Sequence, residues 1–139
     1  MPISAKIGRD EYRTELSNGR HDLIGDEPDP FGADLGPTPY DFLLMALGSC
    51  VCMTLRMYAD RKGWPMEKVE IVLDQDRIYA KDCENCESED GYVHVIEKQI
   101  TFHGNLDDAQ RKRLMEIADK CPVQKTLTHE IVIKSVEKR

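Results

Sequence analysis

An α+β fold is predicted by three observations on this 139-residue chain. A helix-compatible run over 38–62 carries both start and stop signals. Two long stretches that alternate apolar and polar residues follow it. An amphipathic helix then follows them, with short strands at either end of the chain. This order of strands, long helix, two strands, two helices and a strand is an α+β pattern with antiparallel sheets. The length suits a single domain over 1–139 with one core.

The elements follow in chain order. "EYRTELSNGRHDLIGDEP" predicts two short strands around Asn18-Gly19, a favoured hairpin dipeptide. "DEPDPFGADLGPTP" reads as a long loop, the kind that serves function or crosses to another element. Thr38 suits the helix N-cap, Pro39 the first helical position and Asp41 the third. Arg61, Lys62 and Gly63 mark the end, with Pro65 beyond. About 24 helical residues make a rod of roughly 36 Å. Its first two-thirds is apolar on nearly all sides, so it needs cover all round. One protomer with few aromatics is short of such cover, which points to a partner subunit. "KVEIVLDQDRIYA" and "GYVHVIEKQITFHG" read as antiparallel strands joined by "KDCENCESEDG". An amphipathic helix is expected from Leu106 to about Lys120, a short helical turn from Cys121-Pro122, and a closing strand at "EIVIKSV".

Hydrophobic residues make up 40% and aromatics only 6%, so the core must rest on aliphatics and methionines. Net charge is −7, with a pI near 5.1 and a mean hydropathy of −0.52. That balance disfavours nucleic acid and anionic membranes as partners. "MPISAKIGRD" has no apolar core of a signal peptide, and the uncharged run over 42–55 is shorter than the roughly 18 residues of a membrane span. The expected location is cytoplasmic. There, five cysteines imply free thiols, metal ligands or redox chemistry rather than structural disulfides.

Cys50 and Cys52 lie about 200° apart on a helix and cannot bond to each other while it stands. Cys52 reads as core. Cys50, beside Gly48 and Ser49, is either a small buried hydrophobe or a reagent approached through those small neighbours. Cys121 precedes Pro122 and so suits an N-cap, where the helix end, with Lys120 and Lys125, is expected to lower its pKa. Cys83 and Cys86 form a CxxC within an acidic tip: a zinc half-site, a disulfide switch or a bland turn. His94 and His103 are available as further ligands. The sequence has no HExxH, GxSxG, P-loop or GxGxxG pattern.

Two stretches, "GPTPYDFLLMALGSC" and, some 70 residues later, "CPVQKTL", together resemble the OsmC/Ohr family of osmotically inducible and organic hydroperoxide resistance proteins. "TLRMYADRKGW" and "DCENCE" resemble its OsmC-like, YhfA-like branch. The resemblance implies an intertwined homodimer in which antiparallel sheets wrap two long helices. It also implies a thiol peroxidase acting on organic hydroperoxides or hydrogen peroxide, in which Cys50 is peroxidatic and Cys121 resolving. A dithiol reductant completes the cycle and no cofactor is required. In the hydroperoxide-specific branch an N-terminal arginine is held by a glutamate early in the long helix. Here Tyr40 stands at the glutamate position with Asp41 beside it, and Arg9, Arg13 or Arg20 could supply the arginine, Arg13 being preferred. Lys125 replaces an arginine common after the second cysteine. The alternative function is a non-catalytic redox-sensing, small-molecule-binding or metal-binding protein that uses the interface pocket and the Cys83/Cys86 tip, with zinc as the metal.

Overall fold

A computed structural model of the chain describes residues 2–83, 87 and 91–139. It has two compact units, Met1–Met45 and Ala46–Arg139.

The first unit holds an antiparallel sheet of β1 (Ser4–Ile7), β2 (Thr14–Ser17) and β3 (Asp22–Gly25), in that order. β2 and β3 are the two strands expected around Asn18-Gly19. Gly19 takes a positive φ of 90°, and the Asn18 side-chain oxygen accepts from the Arg20 and His21 amides at 2.9 and 2.7 Å. β1 has only four residues, all exposed, too short a run to be read as a strand from the sequence. The loop that follows β3 folds around Asp26. This carboxylate is 3% exposed and accepts from the Glu27 and Leu35 amides at 2.8 and 3.2 Å. Asp26 also donates its own amide to the Pro37 carbonyl.

Helix α1 (Pro39–Lys62) starts in the first unit and continues into the second. Its start is a reciprocal cap: the Thr38 amide donates to the Asp41 carboxylate at 3.0 Å, and the Asp41 amide to the Thr38 hydroxyl at 3.2 Å. Gly63, with φ 70°, ends it. The second unit adds the hairpin of β4 (Met66–Tyr79) and β5 (Tyr92–Gly104), with Ile71 opposite Ile100 and Leu73 opposite Lys98. α2 (Asp108–Ala118) begins two residues later than expected, because Asp107 forms a capping box with Gln110. α3 (Pro122–Leu127) follows, with Cys121 as its N-cap.

Within the second unit, α1 buries one stripe: Leu47, Val51, Leu55 and Ala59, one residue per turn. Leu114, Ile117 and Ala118 of α2, with Met66, Leu106 and Cys121, complete this core. On another side of α1, Met45, Met53 and Met57 are 56, 67 and 57% exposed. The single chain therefore covers only part of this apolar helix. Although its uncharged run is short, the whole helix is long and apolar enough to cross a membrane by length and composition.

The closing strand expected at "EIVIKSV" is not a strand. These residues form no ladder, and Ile131, Val132, Ile133 and Val136 are between 53 and 91% exposed. Alternation describes what a strand could bury, but the strand itself needs a neighbour to pair with, and among the described residues there is none.

Candidate active site

Two of the cysteines come together. Cys50 lies on α1, half-buried beside the core stripe, and Cys121 lies at the entrance to α3 with no exposed surface. Cys50 packs against the core cluster that contains Cys121, and the two thiols act on each other electrostatically. Cys52, two residues on from Cys50, is also partly covered. Burial pushes the Cys52 thiol up, as for an inert core cysteine. Gly48, one position before Ser49, admits no ligand. A Cβ there would sit 2.9 Å from Leu73 Cδ1, so the small residue exists to let β4 pack on the helix.

Cys121 is the N-cap expected from Cys121-Pro122. The Gln124 amide donates to its Sγ at 3.3 Å. The expected acidity does not follow. Burial is the largest influence and pushes the thiol up. The Gln124 amide and the Lys98 ammonium act downward, while the Cys50 side chain adds to the upward push. The net direction is up, because a single amide and the short α3 do not offset the removal of water from a fully covered sulfur.

The cation near Cys121 is one that sequence reasoning missed. Lys98 lies mid-strand on β5, its side chain only 13% exposed. Its Nζ donates to the Ala118 carbonyl and to Asp119 Oδ1, each at 3.0 Å, and to Gln124 Oε1 at 2.5 Å. The Gln124 side-chain amide in turn donates to Asp119 Oδ1 at 3.2 Å. Burial pushes the Asp119 carboxyl up, but the hydrogen bonds from Lys98 and Gln124 outweigh it and hold it low. The signal was present in the sequence. Ile96, Lys98, Ile100 and Phe102 share the inward register of β5, and a lysine in that set needs partners.

The other candidates each have their own local setting. Lys125 is exposed on α3. In the first unit, Arg13 lines a cleft of about 540 Å³ with Tyr12, Asp26 and Phe31, and its Nη1 lies 3.7 Å from Glu15. The Asp41 carboxylate caps α1, as described above. Cys83 is disulfide-bonded; Cys86 lies outside the described residues. His94 and His103 are paired with Gln75 and Glu70 on the β4–β5 hairpin, and no group of three metal-ligating side chains occurs among the described residues.

Comparison with known proteins gives a consistent picture. A family model described as OsmC-like protein matches residues 32–136. Among solved structures, the fold is similar to an OsmC-like protein from Mycoplasma pneumoniae, at 17% identity over 91% of this chain and 85% of that one, with a TM-score of 0.67. It is also similar to an organic hydroperoxide resistance protein, OsmC, from Legionella pneumophila (17% identity, 91% and 88% covered, TM-score 0.65). A third is the organic hydroperoxide resistance protein OhrB of Bacillus subtilis (18%, 91% and 89%, TM-score 0.57). No curated protein matches the sequence.

Proposed function

Because the chain belongs to the OsmC-like protein family, we propose that it is a thiol-dependent peroxidase that reduces organic hydroperoxides or hydrogen peroxide. The observation that carries this reading is the packing of Cys50 against the core cluster that holds Cys121. Two structurally similar proteins are named for organic hydroperoxide resistance, which supports the substrate class.

In the first step the Cys50 thiolate attacks one peroxide oxygen. The O–O bond breaks and the sulfur, giving up two electrons, becomes a sulfenic acid. The alkoxide leaves and is protonated to an alcohol; hydrogen peroxide gives water instead. In the second step the Cys121 thiolate attacks that sulfur. The S–S bond forms as the S–O bond breaks, and the departing hydroxide is protonated to water. An external dithiol then supplies two electrons and two protons and is itself oxidised to a disulfide. Cys121, with no exposed surface, suits the second step rather than the first.

The functional unit of this reading is a homodimer. The exposed methionines of α1 and the unpaired apolar tail after α3 are surfaces a second copy would cover. Its location is the cytoplasm, where dithiol reductants are available.

The test is peroxide consumption by Cys50→Ser, Cys121→Ser and Cys52→Ser proteins. Cys50→Ser should abolish dithiol-dependent turnover, and Cys121→Ser should stop it after one equivalent. Cys52→Ser should retain it. Normal turnover by Cys50→Ser would refute the reading.

A further inference from the structure

We propose that Lys98 is a positioning residue for the second step: by fixing Gln124 and Asp119 and placing a cation beside Cys121, it readies that sulfur to attack the sulfenic acid on Cys50. The proposal rests on the peroxidase reading and deepens it.

The geometry supports a defined role. An ammonium has three N–H donors, and Lys98 spends all three: on the Ala118 carbonyl, on Asp119 Oδ1 and on Gln124 Oε1. Three acceptors around Nζ require the charged form. Burying a lysine on an apolar strand face is costly unless it is paired and hydrogen-bonded in this way. With no donor left over, Lys98 does not bond to sulfur itself. It acts through two routes. One is mechanical: its grip on the Gln124 side chain fixes the first turn of α3, whose Gln124 amide is the donor aimed at Cys121 Sγ. The other is the field of a poorly hydrated positive charge on the Cys121 sulfur.

The groups that act on Cys121 come from three elements: Cys50 on α1, Lys98 on β5 and the Gln124 amide on α3. Asp119 reaches it through Lys98 and Gln124, partly neutralising the cation. Removing Lys98 should therefore make Cys121 a weaker attacking group near neutral pH. Removing the Asp119 charge should do the opposite, because the ammonium is then less neutralised.

The test separates the two chemical steps. Reduced protein is mixed with one equivalent of cumene hydroperoxide. Sulfenic acid on Cys50 is read by dimedone trapping, and closure of the Cys50–Cys121 disulfide by mass mapping, across pH 5 to 9. Lys98→Met should leave dimedone-trappable sulfenic acid forming on Cys50, while disulfide closure at pH 7 slows about tenfold and its pH midpoint moves up by about one unit. Lys98→Arg should restore most of the rate. Asp119→Asn alters a side chain 66% exposed and should move the midpoint down. If the wild-type protein forms neither sulfenic acid on Cys50 nor the Cys50–Cys121 disulfide, the peroxidase reading fails and this proposal with it. If the wild type closes the disulfide but the midpoint moves in neither Lys98→Met nor Asp119→Asn, the peroxidase reading stands and the role of Lys98 is overturned. Should Lys98→Met not fold, the Asp119→Asn midpoint alone decides: a downward shift supports the role and an unmoved midpoint overturns it.

Discussion

A Cβ on Gly48 would lie 2.9 Å from Leu73 Cδ1, so the packing of β4 on α1 is written into one glycine. Two effects oppose each other when that glycine is replaced. Alanine in a helix interior gains about 1 kcal/mol over glycine. Overpacking costs about 1–3 kcal/mol, toward the low end when the neighbour is the end of a flexible leucine. Gly48→Ala should therefore fall within about 1 kcal/mol of wild type, while Gly48→Val should cost about 2–3 kcal/mol in urea denaturation. A Gly48→Val protein as stable as wild type would mean that Leu73 does not press on the helix.

The long helix shows how much of the fold was legible. Thr38, Pro39, Asp41 and Gly63 are local signals, and the structure begins and ends α1 where they say. The β4–β5 hairpin was equally readable from its alternation. Three features depended on distant partners and were not readable in the same way. β1 is too short and too polar to announce itself. "EIVIKSV" alternates well but has no neighbouring strand. For Cys121, local sequence gave the N-cap correctly and the acidity wrongly, because α1 and the core cover the sulfur and burial outweighs the cap. Lys98 was legible in principle, as the one charge in an apolar register of β5.

Asp26 organises the loop after β3, and the stabilising effect is pH-dependent. The Glu27 amide is the largest influence that lowers its carboxyl, opposed by burial and joined by the Leu35 and Ala33 amides and by Arg13. A carboxyl lowered on folding stabilises the native state above its ordinary value near 3.8, and the effect is lost as pH falls through the lower folded value. Hydrogen-exchange protection over residues 27–36, taken relative to the intrinsic peptide rate at each pH, should fall in wild-type protein below about pH 4 and in Asp26→Ala at neutral pH. Equal protection in the two proteins at pH 7 would show that the loop holds itself without the carboxylate.

The exposed methionines of α1 supply a direct test of the proposed homodimer. Met53 is 67% exposed and Met57 57%, on one helix side four residues apart. Burying a glutamate in an apolar interface is costly. Met53→Glu should weaken self-association by at least about a hundredfold, read by sedimentation velocity over a dilution series. A wild-type protein that sediments as a monomer at every concentration would remove the dimer from the reading.

The two facing sulfurs differ in their contact with solvent. Cys121 has none and Cys50 has some. A dissolved oxidant can therefore collide with only one member of the pair, and the hidden one responds only to what has already happened at its neighbour. The direction of the cycle is set by steric access, whichever thiol gives up its proton more easily.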